Sequence, residues 1–306
     1  MIKGRKRRQP VKPLFVGGSW RSGTTLLHAL ICTSGRTNDY IGECSYFSAL
    51  THALSQGLVS YTLHTRYYFA SREEFIAHHA SILRDELQRV WERTGRSAVL
   101  ALKDPLLTPR FPLLASTLPE ARFVVSIRDP LDTIASRIDV YRRSSGVEDP
   151  TTGQVEQFCC EYNEFYQPII DYLEIFGDRI CLINYKSIVE DDHTRLQEFG
   201  LDDIDPGSLW RSSITNVHEH AGDPWMTPLY GMAPSTASIG RYGDKTPRDL
   251  EVLVRKICGS VWRQIETIAE KSPARTLQNS ARGRRGSLPP ASGAPPDGVG
   301  DPKPES

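Results

Sequence analysis

Four short runs of apolar residues alternate along the chain with longer segments of mixed character. The runs cover residues 14–16, 98–102, 122–127 and 179–184, and each is followed by a polar residue or glycine. Short runs that contain β-branched residues and are apolar on both faces are typical of strands buried inside a parallel sheet. The pattern therefore predicts four parallel strands.

The segments between these runs are long enough and suitably patterned for helices. Helices are predicted at residues 72–93, 131–142, 154–176 and 247–271, and a further one begins near Thr24. Alternating strands and helices predict an α/β fold of the P-loop type, with three layers and helices on both faces of a central parallel sheet. In such folds the ligand binds beyond the carboxyl ends of the strands.

The composition changes near the end of this pattern. From residue 272 to the end of the 306-residue chain, Pro, Gly, Ser and Arg predominate and no apolar periodicity is present. Such a segment cannot bury enough apolar surface to offset its ordering entropy. We expect a disordered tail at 272–306 and one α/β domain at 13–271. Residues 1–12 form a basic arm, either solvated or anchored to an acidic surface.

Charge and cysteine content narrow the class of protein. The chain has 37 Lys and Arg residues against 37 Asp and Glu residues, so no basic field extends over the whole sequence, and nucleic-acid binding is not expected. The six cysteines form no C-x-x-C pair, which indicates reduced thiols. No apolar run approaches a membrane span, and no secretory leader is evident. The expectation is a cytoplasmic protein.

The first candidate site is the segment GSWRSGTT at residues 18–25. It follows a predicted strand, opens a helix and has the glycine spacing of a phosphate-binding P-loop, except that Thr24 stands where lysine is required. A glycine-bracketed turn at a helix N-terminus directs backbone N–H groups at an anion. The positive charge comes instead from Arg21. The alternative is a glycine-rich turn that binds nothing.

A second candidate site follows the third predicted strand. Arg128 ends that strand, and Asp129 and Pro130 open the helix that carries Ser136 eight residues after the arginine. This spacing places Ser136 about two turns into the helix, where its hydroxyl could share an anion with the guanidinium. Alternatively, Arg128 pairs with a neighbouring acid. Asp104 and Asp129 each follow a basic residue and are weak candidates for holding Mg²⁺.

Together the two motifs resemble the sulfotransferase family over residues 13–271. The loop SWRSGTTL is similar to the 5′-phosphosulfate loop of that family, and FVVSIRDPLDTIASR is similar to its 3′-phosphate motif. The Arg-Ser-Gly-Thr-Thr loop is typical of the branch containing tyrosylprotein and bacterial sulfotransferases. Further similarities are Ile41-Gly42-Glu43, Lys103-Asp104-Pro105, Tyr185 in NYKSIVED, and Gly240-Arg241-Tyr242.

The resemblance implies a donor, 3′-phosphoadenosine 5′-phosphosulfate, and metal-independent transfer of its sulfuryl group to an acceptor hydroxyl, which leaves adenosine 3′,5′-bisphosphate. Lys103 would stabilise charge on the leaving group, because the transition state is loose and in-line, and Arg21 is implied as a further catalytic residue. The resemblance also implies which residues contact the donor. Arg21 and the backbone of Ser22, Gly23, Thr24 and Thr25 would contact the phosphosulfate. Arg128 and Ser136 would contact the 3′-phosphate, and Tyr185 and Arg241 would lie beside the donor.

The general base implied is Glu43, since the acceptor hydroxyl must lose its proton in the transition state. Glu43 could instead be a charge at the start of a helix, and His28, His52 and His64 are the rival bases. The acceptor is left open among a sugar, a lipid, a peptide and a small molecule. Two other functions stay open: a P-loop nucleotide or small-molecule kinase that uses Mg²⁺ and ATP, and a binding protein without catalysis.

Overall fold

The computed structural model describes residues 10–216, 223, 225–226, 229–240, 242 and 248–271. The predicted tail at 272–306, most of the basic arm and Arg241 lie outside the described residues. Within them, no helix is long and apolar enough to cross a lipid bilayer.

In the part of the chain that the structure describes, four parallel strands form one sheet, as the apolar runs predict. They are β1 (Pro13–Gly18), β2 (Leu100–Lys103), β3 (Arg122–Ile127) and β4 (Ile180–Asn184). Their spatial order is β2-β1-β3-β4. Strand β2 lies on one side of β1, and the chain then crosses over to β3, which lies on the other side of β1. A crevice therefore opens at the carboxyl end of β1, where a ligand site is expected.

The helices cover both faces of this sheet and confirm the three-layer α/β fold. The helix predicted at 72–93 is found at those residues. The single helix predicted at 154–176 is wrong in its extent, because it ends at Asp171 and a separate short helix, Leu173–Phe176, follows. The α-helices of the described residues are α1 (Thr24–Ile31), α2 (Ser45–Val59), α3 (Arg72–Arg93), α4 (Phe111–Thr117), α5 (Pro130–Ser145), α6 (Thr152–Asp171), α7 (Leu173–Phe176), α8 (Tyr185–Val189), α9 (Thr194–Glu198) and α10 (Arg248–Lys271).

Alternate strand residues supply two separate hydrophobic cores. Phe15 points to the face covered by α2–α7 and α10, where its ring stacks on Phe47 at 5.2 Å and on Phe123 at 5.9 Å between ring centroids. Its neighbours Leu14 and Val16 point to the face covered by α1, α8 and α9. Burial on both faces explains why the strands are continuous apolar runs. All six cysteines are free thiols.

Candidate active site

A cavity of about 1550 Å³ opens at the carboxyl edge of the sheet. Residues from the loop after β1, the ends of β2 and β3, and helices α5 and α8 contribute to its wall. Ser22 is not among the described residues that line it. The predicted site residues that do line it are Arg21, Gly23, Thr24, Thr25, Glu43, Lys103, Arg128, Ser136 and Tyr185.

The loop after β1 has a backbone that only glycine accommodates at two positions. Gly18 has φ +139°, and a Cβ there would lie 2.5 Å from the carbonyl oxygen of Ser126. Gly23 has φ +93°, and a Cβ there would lie 2.2 Å from the Tyr185 ring. Ser22 shapes the loop from within, since its backbone N–H and its hydroxyl both donate to the carbonyl of Ser19.

Helix α1 begins directly after this loop, and its first turn faces the cavity. Gly23 is the N-cap residue and provides no side-chain hydrogen bond to the first-turn amides. The first N–H groups of a helix have no partner within the helix, and they lie at the positive end of its dipole. The amides at Gly23, Thr24 and Thr25 therefore have the position of the amides that bind anions in phosphate-binding loops.

Arg21 extends from the loop along the cavity wall. Its backbone has φ 69°, a left-handed conformation that costs of order 1 kcal/mol or more in a residue other than glycine. Its Nε donates to the Ser136 hydroxyl over 3.1 Å, and its Nη1 donates to the carbonyl of Trp225 over 2.6 Å. Burial, and then repulsion from Arg128, lower the pKa of Arg21 to about 10. This environment favours an anionic ligand beside the guanidinium.

Arg128 is held rigidly at the end of β3. Its side chain is 8% exposed and donates to the carbonyl oxygens of Arg21 and Ser238. The guanidinium lies 4.6 Å from the centre of the Tyr185 ring, and the Tyr185 hydroxyl hydrogen-bonds to Ser238. Asp129 caps α5 by accepting from the N–H of Leu131. Arg128 is thus presented to the cavity on an aromatic support.

One feature of this region differs from the expectation. The Ser136 hydroxyl contacts Arg21, whereas the sequence grouped Ser136 with Arg128. Tyr185 directly follows β4, as the pattern predicts, and begins α8. The sequence also missed Ser238 and Trp225, which bring carbonyl oxygens to Arg128 and Arg21. No local motif marks either residue.

Glu43 and Lys103 form an ion pair in the cavity wall. The chain at Glu43 runs parallel to the end of β2 as an isolated bridge opposite Lys103. The Lys103 ammonium donates to Glu43 Oε1 over 2.6 Å and to Thr25 Oγ1 over 3.1 Å. The lysine side chain is 3% exposed and the glutamate side chain 47%. The carboxylate is therefore positioned by a buried cation and stays accessible from the cavity.

Asp104 does not take the place of Glu43 in this pair. Its carboxylate accepts from the Ser48 hydroxyl over 2.6 Å and from the N–H of Leu106 over 2.9 Å, and burial raises its pKa. It caps the 3-10 turn at Pro105–Arg110. Among the described residues, no group of three His, Cys, Asp or Glu side chains is arranged to hold a metal ion.

The three histidines considered as bases are not among the described residues that line the cavity. His28 is completely buried in α1, with its Nε2 at 3.2 Å from the carbonyl of Ala101. Burial, and then the charge of Lys103, lower the pKa of His28 to about 3. His52 contacts Arg110 through Nδ1, and His64 lies on the surface. Glu43 is therefore the predicted base that faces the cavity.

Comparison with known proteins identifies the class. The sulfotransferase family model matches residues 13–198, more than half of the chain. The chain therefore belongs to the sulfotransferase family, as its two motifs predict.

Individual relatives agree with this assignment. Over 251 residues the chain is 22% identical to the omega-hydroxy-beta-dihydromenaquinone-9 sulfotransferases Stf3 of Mycobacterium bovis and Mycobacterium tuberculosis. The match covers 63% of this chain and 64% of the length of each relative. The fold is similar to that of the sulfotransferase domain from the curacin biosynthetic pathway, with a TM-score of 0.51 at 15% identity, covering 83% of this chain and 98% of that domain.

Proposed function

We propose that the protein is a sulfotransferase that moves the sulfuryl group of 3′-phosphoadenosine 5′-phosphosulfate to an acceptor hydroxyl without a metal ion. One observation carries the proposal. A single cavity collects the first turn of α1, the cations Arg21, Lys103 and Arg128, and the exposed carboxylate of Glu43. Family membership, together with the sulfotransferase activity for which the mycobacterial relatives are named, supports it.

The donor carries anionic groups at the 5′ and 3′ positions of its ribose. The cavity offers a cation for each of them, Arg21 and Arg128. The amides of Gly23, Thr24 and Thr25, with Arg21, would bind the 5′-phosphosulfate. Arg128 would bind the 3′-phosphate. Both arginines now donate to backbone carbonyl oxygens. Charge-assisted bonds to a phosphate are stronger than bonds to a carbonyl, so the donor would replace them.

Three donor contacts named from the sequence keep a place in this proposal. Ser136 would contribute through Arg21, because the Ser136 hydroxyl accepts a hydrogen bond from the Arg21 Nε. Tyr185 would support binding of the donor in two ways. Its ring lies against the Arg128 guanidinium, which is proposed to bind the 3′-phosphate, and the ring also limits the space above Gly23. Ser22 would act by shaping the loop, since its hydroxyl and its N–H bind Ser19.

The chemical step requires a base and charge stabilisation. The acceptor oxygen attacks the sulfur while the bond from sulfur to the bridging phosphate oxygen breaks. The acceptor proton passes to the Glu43 carboxylate. The charge on the departing bisphosphate is stabilised by Lys103 and by the α1 amides, which are held in place before the reaction. The ion pair with Lys103 orients Glu43 for this role.

A thermal-shift measurement tests the donor. Adenosine 3′,5′-bisphosphate at millimolar concentration should raise the melting temperature in the presence of a chelator, because a ligand that binds only the folded state stabilises it. ATP with Mg²⁺ should give a smaller shift. The reverse order would favour a P-loop kinase, and no shift with either nucleotide would contradict the proposal.

Turnover separates an enzyme from a binding protein. With labelled donor and a panel of a lipid alcohol, a sugar, a tyrosine peptide and a small phenol, at least one acceptor should become labelled while the bisphosphate accumulates. Bisphosphate binding without transfer to any class would instead indicate a protein that keeps the anion site and lacks the chemistry.

A further inference from the structure

The cavity wall beside Glu43 is aromatic. Tyr40, three residues before Glu43 in the chain, is buried and its hydroxyl lies 3.3 Å from that of Tyr230. The Trp210 ring lies 5.6 Å from the Tyr40 ring and 5.1 Å from the Tyr230 ring, measured between centroids. All three rings line the cavity. We call Tyr40, Trp210 and Tyr230 the aromatic wall.

The aromatic wall is close to the proposed base, and hydrogen bonds satisfy the polar atoms of its three side chains. Burial raises the pKa of the Tyr40 hydroxyl, and the hydrogen bond with Tyr230 and the charge of Glu43 add to the shift. The Trp210 Nε1 donates to the carbonyl of Met232 over 2.7 Å. With these polar atoms bonded to one another and to the backbone, the wall presents mainly ring carbon to a ligand.

Two large apolar side chains of the cavity lining are exposed to solvent. Leu106, three residues after Lys103, is 45% exposed, and Met232 is 59% exposed. Both line the cavity. Exposed apolar residues that line a cavity are typical of a site that binds an apolar partner.

The part of the cavity lined by α5 carries ion pairs beside apolar residues. Arg137 pairs with Glu161 over 2.6 Å, and Arg142 pairs with Asp139 and Asp149. Each of these charges is balanced by a partner within the protein. This part adjoins Ser136 and Arg21, which the proposed function assigns to the donor. The acceptor, whose hydroxyl must reach Glu43, would therefore bind on the side of the aromatic wall.

We propose that the acceptor is an alcohol or phenol carried on a large apolar body, either fused rings or a long hydrocarbon chain. The hydroxyl meets Glu43, the body packs on the aromatic wall, and its far end lies over Leu106 and Met232. This inference rests on the proposed function and narrows its acceptor class. A free sugar offers little apolar surface to this side of the cavity.

Binding of matched alcohols tests the acceptor class. The full chain is saturated with adenosine 3′,5′-bisphosphate, and calorimetry measures binding of butan-1-ol, hexan-1-ol and octan-1-ol, of phenol against 2-naphthol, and of glucose. Each buried methylene strengthens binding by about fourfold, so affinity should rise from butanol to octanol by about tenfold or more if two of the four added methylenes are buried and by about 250-fold if all four are. Naphthol should bind more tightly than phenol, and glucose should give no signal. With the sulfated donor, kcat/KM should follow the same order.

Surface variants locate the binding face. Leu106→Ser and Met232→Ser should each weaken octanol binding by about fivefold or more, because each removes apolar contact area. Leu63→Ser is the matched control, since Leu63 is also an exposed leucine, at 69%, and is not among the cavity-lining residues. It should bind octanol like the wild type.

The outcomes separate this inference from the proposed function. A flat alcohol series, a preference for glucose, or wild-type binding in both Leu106→Ser and Met232→Ser would overturn the apolar acceptor. If the bisphosphate still stabilises the protein in that case, the sulfotransferase proposal stands with a polar acceptor. If the bisphosphate does not bind, the proposed function fails, and this inference fails with it.

Discussion

At the scale of single residues, the pair formed by Glu43 and Lys103 determines what chemistry the cavity can support. A buried ammonium with no anion nearby would be costly, and here it bonds to a carboxylate and to the Thr25 hydroxyl. The carboxylate is half exposed, so it can meet a second molecule. The pair therefore combines a positioned carboxylate, which is the proposed base, with a cation beside the loop that follows β1.

Replacing Glu43 by Gln tests the base. The amide keeps the shape of the side chain and cannot accept the proton, so kcat should fall by about 10²-fold or more. The affinity for adenosine 3′,5′-bisphosphate, measured by calorimetry, should stay within about threefold of the wild type. Wild-type turnover in Glu43→Gln would show that another group takes the proton.

Replacing Lys103 by Met tests the stabilisation of the leaving group. The variant keeps a long apolar stem and loses the charge, so kcat should fall by about 10²-fold or more. Because both residues serve one step, the double variant with Glu43→Gln should lose much less than the product of the two single effects. Steady-state kinetics of the four proteins give this comparison, and full additivity would argue against a shared step.

At the scale of elements, the strand, loop and helix at residues 13–31 carry the strongest signal in the sequence. The sequence places glycine where the loop needs it, because positive φ and close packing exclude a Cβ at Gly18 and Gly23. Helix α2 was harder to foresee. Its buried face includes Ser48, Thr51 and Ser55 beside Phe47, Leu54 and Leu58, so polar residues interrupt the apolar pattern.

A glycine comparison tests how the loop is built. Gly23→Ala places a Cβ against the Tyr185 ring at φ +93°, whereas Gly95→Ala adds a Cβ at φ +96° with no atom within 4 Å. Gly95→Ala should lower the free energy of unfolding by about 1–2 kcal/mol from backbone strain alone and leave bisphosphate binding unchanged. Gly23→Ala should destabilise more and weaken binding at least about tenfold, because it displaces Tyr185. Denaturation curves and calorimetry measure both, and equal effects on binding would contradict this account of the loop.

At the scale of the whole molecule, the buried ring of His28 links α1 to β2 and couples stability to pH. The pKa of His28 is about 3 in the folded protein and 6.5 without burial. Between these values the unfolded chain binds more protons than the folded one, so stability rises with pH. This contribution is fully present above pH 6.5 and is lost as the pH falls towards 3.

Acid denaturation of a histidine variant measures this coupling. Between pH 7 and pH 5, His28 alone should lower the free energy of unfolding by about 2 kcal/mol. His28→Gln should lose this part of the pH dependence, although it also loses packing against Tyr40 at every pH. His64→Gln, on the surface, is the control and should keep the wild-type slope. An unchanged slope in His28→Gln would mean that other groups produce the dependence.

The sequence by itself determined the parallel sheet, the glycine-bracketed loop with Arg21 and the position of Arg128 at a strand end. These features are local, because strand burial, turn conformation and helix initiation depend on neighbouring residues. Arg241 and the ends of the domain at 13–271 stay predictions. The extent of the helix predicted at 154–176 was wrong, because apolar spacing does not show where the backbone turns.

The tertiary structure alone decided which distant residues meet. It placed Glu43 against Lys103, 60 residues away in the chain, and brought Ser238 to Arg128 across 110 residues. It also placed the Ser136 hydroxyl within hydrogen-bond distance of Arg21 and brought the three residues of the aromatic wall together. Such contacts depend on the packing of whole elements in three dimensions, and periodicity along the chain holds no information about them.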